Sequence, residues 1–207
     1  MKRYFSHISR FFKEGYSESV KTTAAAFFIL ALVGYLAAFL FPDFTNDYVE
    51  RTIAMLTESG IVEESGAISF ELVLANNISV CFMSALYGFI PFIYLSAYPL
   101  GSNAALMGLM AGYYQQNGIS LSLYALSILP HGIIEIPAMI LTFALGLQLC
   151  RNFTQNLKTE KKLPGNNTSK QLILDFLRIF FTLILPLILA SAALEVYVTP
   201  QVVAAAM

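Results

Sequence analysis

The sequence predicts an all-α fold: a polytopic transmembrane helix bundle of about five spans, with a kinked or broken fourth span and an amphipathic interfacial helix at the N-terminus. Three observations carry that expectation. Of the 207 residues, 57% are hydrophobic and only 12% charged, which would leave a soluble domain of this length with far too apolar a surface. The apolar residues gather in long runs separated by proline, glycine and short polar intervals, as in helices that satisfy their own backbone in lipid. Charge is segregated: a formal net charge of -1 conceals two basic blocks with most of the carboxylates between them.

Each element follows from local pattern. Residues 1–19 put Tyr4, Phe5, Ile8, Phe11 and Phe12 on one helical face, with Lys2, Arg3, Arg10 and Lys13 mostly opposite. This predicts a cytosolic helix lying on the anionic inner leaflet, a frayed basic tail being the alternative. Residues 20–41 form a first span stopped by Pro42; the run is too long for a cleaved signal peptide, and no A-x-A site follows it. The loop 42–67 carries Asp43, Asp47, Glu50, Glu58, Glu63 and Glu64 against Arg51 alone. Val49, Ile53 and Leu56 recur there at helical spacing, so an extracytoplasmic amphipathic helix is expected.

Spans at 68–98 and 101–114 follow, the second of the chain carrying Asn76 and Asn77 near its outer end and Pro91 near its inner end. The fourth, 119–150, is 32 residues long; as one straight helix it would measure ~48 Å and overshoot the hydrocarbon, so Pro130 and Pro137 predict a kink or a break. The interval 151–171 holds Arg151, Lys158, Lys161, Lys162 and Lys170 and is cytosolic by the positive-inside bias. The last span, 172–198, has Pro186 in its middle and Pro200 at its end. Together these place the chain in the cell membrane as a multi-pass protein, N-terminus cytosolic and C-terminus extracytoplasmic. The length allows one membrane domain, 1–207.

The chemistry concentrates in Pro130-His131-Gly132-Ile133-Ile134-Glu135-Ile136-Pro137. From Leu72 to Cys150, His131 and Glu135 are the only side chains able to carry charge. At i and i+4 they share a helix face and can hydrogen-bond each other. A carboxylate at that depth must be paired, protonated or facing water. Three roles remain open: fastening a helix broken at Pro130, Gly132 and Pro137, handling protons or ions, and catalysis. A metalloprotease is excluded because one His with one Glu gives neither an H-E-x-x-H pair nor a third zinc ligand. Nucleophile elbows, phosphate loops and dinucleotide fingerprints are absent, so no catalytic, cofactor-binding or metal site, no cofactor and no nucleic-acid partner is expected. Asn77-Ile-Ser and Asn152-Phe-Thr match a glycosylation pattern by letters only, because one lies in a span and the other in the cytosolic interval.

Other polar or small residues read as packing. Asn76 and Asn77, turned about 100° apart on a helix, suit hydrogen bonding between helices. Cys81 and Cys150 lie in or beside apolar segments and form no disulfide or redox pattern. Ala104, Gly108 and Gly112 repeat every fourth position, as do Gly34 and Ala38. Such faces allow close helix approach within the monomer or across a homodimer, for which the Gly108-Gly112 face is the expected surface.

The paired Asn76-Asn77, the glycines of the third span and the run Pro130-His131-Gly132-x-x-Glu135, followed by Pro137-Ala138 and Gly146, resemble the stage II sporulation protein M family over roughly residues 20–198. One departure is Ser102-Asn103-Ala104, where many members have Asn-Gly. The resemblance implies an integral membrane fold and no enzyme; in spore formers the founding member holds peptidoglycan-degrading partners at the engulfing membrane. On that basis the expected function is a membrane scaffold or assembly protein that recruits envelope or membrane partners, with lipids around it. The alternative is a permease-like transporter or channel using the His131-Glu135 pair in a broken helix at the midplane.

Overall fold

The computed structural model describes residues 11–62, 68–158 and 169–206, and apart from one isolated bridge between Val62 and Ile68 its regular elements are helical. A π-helical turn, Phe12–Tyr16, runs into α1, Ser17–Leu40. Pro42 occupies the first turn of α2, Pro42–Glu58, where its missing N–H leaves nothing unsatisfied. Helix α3, Phe70–Leu86, tightens into a 3₁₀ turn, Tyr87–Phe89. Helix α4, Ala97–Gln116, ends at Gly118, whose φ of 76° is the left-handed cap that favours glycine. The hydroxyl of Ser120 then accepts the Leu123 N–H at 3.2 Å and starts α5, Leu121–Lys158. Beyond 168 come α6, Ser169–Ile179, a π stretch, Phe180–Ile184, α7, Leu185–Tyr197, and α8, Thr199–Ala206.

Helix α5 is the axis of the bundle, packed against α1, α3, α4, α7 and α8. On one side Leu145 and Leu149 meet Leu172, Phe176, Phe180 and Ile184, all buried. On another, Phe143 and Ile140 meet Phe27, Leu100 and Ala104. Lipid is as apolar as these side chains, so their burial alone does not drive helices together; close packing and interhelical hydrogen bonds must. The pairing of α1 with α4 is the most extensive helix contact, and it is made through small residues. A Cβ on Gly34 would run into the backbone of Ala105, one on Gly108 into the carbonyl of Ala31, and one on Gly112 into the methyl of Ala38. The opposite face of α1, with Phe28, Ile29, Leu32, Leu36 and Leu40, is exposed and turned to lipid.

Tyr16 shows the second kind of contact. Its ring is fully buried, and its hydroxyl donates to the Leu141 carbonyl at 2.7 Å, tying the start of α1 to the middle of α5. Tyr16→Phe is expected to cost about 1 kcal/mol, read as a fall of roughly 2–4 °C in the melting temperature of the detergent-solubilised protein. An unchanged melting temperature would show that the bond adds nothing.

Several expected boundaries shift. The interfacial helix over 1–19 lies outside the described residues for Met1–Arg10. Over residues 11–19 the chain is already part of the bundle, with Phe11 and Tyr16 buried. Likewise, residues 63–67 and 159–168 of the two expected loops lie outside the described residues. The segment 68–98 is not one span: α3 stops before Pro91, and Ile90 to Ser96 turn back into α4, with φ of 71° at Phe92 and 50° at Tyr94. This turn is pinned from below. The Phe92 N–H donates to Thr154 Oγ1 at 2.8 Å, the Cys150 thiol donates to the Ile90 carbonyl at 3.2 Å, and Ser96 Oγ donates to the Ser84 carbonyl at 2.6 Å. Glycine permits the closest approach here too, since a Cβ on Gly88 would meet the Gly146 carbonyl.

Four stretches are long and apolar enough to cross a membrane by length and composition: Ser17–Leu40, Phe70–Phe89, Leu121–Lys158 and Lys170–Ala206. Helix α4, expected as a short span at 101–114, has 20 residues and thus the length, but it is not among the four. Helix α5 runs unbroken for 38 residues through Pro130 and Pro137, so of the kink or break expected there no break forms. Each proline removes one i→i−4 bond, and the contacts along α5 hold the helix on either side. Helix α7 ends at Tyr197, with Val198 as its cap, just before Pro200; Pro200 itself sits in the first turn of α8, which packs back on α5. Cys81 and Cys150 are buried and free, as their setting predicts.

Candidate functional site

His131 and Glu135 lie on one face of α5, one turn apart, and their side chains are 14% and 20% exposed, with Nε2 3.8 Å from Oε2. The closing of α7 against α5 adds a third group. Ligand-capable atoms of His131, Glu135 and Glu195 all lie within 4.8 Å of one another. Among the described residues this is the one cluster of three or more His, Cys, Asp or Glu side chains with that geometry.

Helix α8 orients the imidazole. Thr199 Oγ1 donates its single proton to the Leu194 carbonyl at 3.1 Å. With the proton so placed, its lone pairs face His131 Nδ1, 3.0 Å away, in the tautomer that carries the ring proton on Nδ1. In the neutral ring Nε2 then presents its lone pair toward the carboxylates. Thr199 is buried, so this arrangement is shielded from competing water.

The three side chains line a cleft of about 360 Å³ between α4, α5 and α7. Its walls combine Met107, Met110 and Met139 with Asn103, Tyr124 and Ser127. The Tyr124 hydroxyl donates to the Met107 carbonyl at 2.6 Å, and Asn103 Nδ2 donates to the Pro99 carbonyl at 2.8 Å, fixing two of the polar walls. Glu135, Asn103 and Met139 also line a second pocket, of about 40 Å³, enough for a water molecule. That pocket is bounded by Asn76, Asn77 and Ser191. Asn76 is exposed, and its Nδ2 donates to Asn77 Oδ1 at 3.4 Å. Asn77 Nδ2 is buried without a protein hydrogen-bond partner. Beyond the site, toward Lys158, the bundle is filled by Leu145, Leu149 and the contacting rings of Phe82, Phe89, Phe176 and Phe180.

The structure therefore brings His131, Glu135, Asn76 and Asn77 to two adjoining pockets, as members of one polar core. Pro130 and Gly132 flank His131 on an intact helix, and Pro137 is exposed on the opposite side. Ala104, Gly108 and Gly112 are elsewhere: their face is covered by α1, so it is not the surface on which a second copy could dock. Sequence reasoning missed Glu195 and Thr199. A signal for Glu195 was present, since it is the lone carboxylate in the apolar run from Ile179 to Val198, the same criterion that singles out Glu135. The metalloprotease is set aside on two grounds, the missing H-E-x-x-H pair and the missing third ligand; α7 brings a third ligand-capable side chain within reach, and the first ground stands.

The profile of a family described as Stage II sporulation protein M matches residues 23–200, which includes every residue of both pockets. The chain is also similar to an uncharacterized protein of Methanocaldococcus jannaschii, with 33% identity over 134 residues, 65% of this chain and 72% of the relative. No solved structure matches the chain.

Proposed function

This chain belongs to the stage II sporulation protein M family, and from its polar core we propose that it is a multi-pass, permease-like protein that handles a cation or small polar solute. The observation that carries this reading is the position of Glu135. It stands where the 360 Å³ cleft and the 40 Å³ pocket adjoin, facing His131 and Glu195. Ionisable groups gathered in lipid and opened to a cavity are costly unless something uses them. With the N-terminus cytosolic, the cleft belongs to the extracytoplasmic half, and the aromatic packing around Phe176 closes the path inward. Passage then requires repacking of the α6–α7 segment against α5. The π stretch Phe180–Ile184 marks where that segment departs from regular helix.

The test is flux in proteoliposomes, with the purified protein and dyes for protons, monovalent and divalent cations. Wild type is expected to exceed protein-free vesicles at least tenfold for one of these ions. Glu135→Gln should return to background while eluting normally on size exclusion. Background flux for every ion in the wild type would overturn the reading.

A second reading, the membrane scaffold, is favoured by α2. This helix exposes Phe44, Ile53 and Met55 beside Asp43, Asp47 and Glu50, a mixed face suited to a protein partner. Affinity purification after mild crosslinking in native membranes would recover the same partners with wild type and Glu135→Gln. A homodimer, if formed, must use a surface other than the Gly108 face.

A further inference from the structure

We propose that His131, Glu135 and Glu195 bind one first-row divalent metal cation, Zn²⁺, Co²⁺, Fe²⁺ or Mn²⁺. This deepens the reading above and rests on it only for the idea that the cleft is the working site.

Geometry and chemistry agree. One imidazole with two carboxylates is a nitrogen and oxygen donor set suited to first-row divalent ions. A tetrahedral ion with bonds near 2.1 Å wants its ligand atoms about 3.4 Å apart. His131 and Glu135 are at 3.8 Å and the whole set is within 4.8 Å, so the contraction needed is of the size that rotation of long, flexible glutamate side chains can supply. The ring position suits a ligand: Nδ1 lies 3.0 Å from Thr199 Oγ1, the place an outer partner of a metal-bound histidine takes, and Nε2 lies on the side of the Glu135 carboxylate.

Charge gives the strongest reason. Two carboxylates confined within 4.8 Å in a low-dielectric interior repel strongly when both are ionised, so both can be ionised together only with a cation between them or with water on them. Among the described residues no Lys or Arg lines either pocket to offset them. A dication bound to two carboxylates and a neutral imidazole makes a site with no net charge, the form most compatible with lipid surroundings. Three protein ligands leave at least one coordination position, and the cleft borders the site on that side, so a water or a solute group can complete the shell.

The experiment is equilibrium dialysis of the detergent-purified full chain against Zn²⁺ after chelator treatment, with metal counted by elemental analysis. Co²⁺ is the spectroscopic probe. Wild type is expected to retain one Zn²⁺ per chain with micromolar or tighter affinity, and to give a visible Co²⁺ absorption typical of four- or five-coordinate nitrogen and oxygen ligands. Glu195→Gln and His131→Ala should each weaken binding at least 100-fold. Thr199→Val, which leaves all three ligands but frees the ring, should weaken it about tenfold. Asp47→Asn on exposed α2 should leave it unchanged. Should a ligand variant fail to fold, a Zn²⁺-dependent rise in the wild-type melting temperature, absent with Mg²⁺, stands in its place. Failure of wild type to retain Zn²⁺, or retention unaffected by Glu195→Gln, would overturn the proposal. Binding without flux keeps the metal site and removes transport; flux without binding keeps transport and removes the metal.

Discussion

Gly108→Ala is expected to lower the melting temperature of the detergent-solubilised protein by about 6–12 °C, the shift that roughly 3 kcal/mol produces in a chain of this size. The added methyl would overlap the Ala31 carbonyl oxygen and crowd the Tyr35 N–H on α1. Both are backbone atoms of a facing helix, so neither can rotate away, and α1 and α4 must separate along their length. Separation forfeits the close packing that replaces the hydrophobic effect in lipid. Overpacking of this kind typically costs 1–3 kcal/mol, and the upper end is expected because backbone is involved. Gly118→Ala is the control: its Cβ meets nothing within 4 Å, and only the left-handed φ of 76° resists it, at about 1 kcal/mol. Heat challenge followed by size exclusion reads both. Equal losses at the two positions would mean that the α1–α4 seam is looser than its geometry indicates.

The second large effect separates use from fastening. The triple variant H131L/E135L/E195L is expected to melt at or above the wild-type temperature while losing flux and Zn²⁺ retention completely. Removing one member of a buried ionic group leaves the others unpaired and costs about 3–5 kcal/mol, whereas replacing the whole group by apolar residues is often neutral or stabilising. The continuity of α5 strengthens this expectation. A cluster that existed to hold the halves of a broken helix has no such task where the helix runs through Pro130 and Pro137 intact. Thr199 keeps its bond to the Leu194 carbonyl in the variant, so α8 loses only the imidazole. A melting temperature lower by 6 °C or more would identify the cluster as structural after all.

The helical character, the apolar segments and the His131-Glu135 pair were legible because they depend on neighbours in sequence. Composition alone selects lipid, and backbone hydrogen bonding in lipid then selects helices. The i, i+4 spacing puts two side chains on one face whatever surrounds it. Local breakers were legible in kind and less so in outcome. Pro91 does stand where α3 gives way to a turn, but Pro130 and Pro137 are absorbed, because a helix packed on five partners survives the loss of two bonds that a free helix would yield at.

By itself, then, the sequence determined an all-helical membrane chain of this family, the approximate positions of its long apolar stretches, and the placement of one histidine and one carboxylate together inside them. Tertiary structure decided which faces meet: α1 takes the Ala104-Gly108-Gly112 seam, α7 carries Glu195 to His131 and Glu135, and α8 turns the imidazole with Thr199. The reason is physical. In water an amphipathic stripe announces the buried face of a helix, whereas in lipid the outer face is as apolar as the core, so periodicity does not distinguish them. Only the fit of backbone against small residues, and the meeting of polar groups some sixty positions apart, selects the face that turns inward.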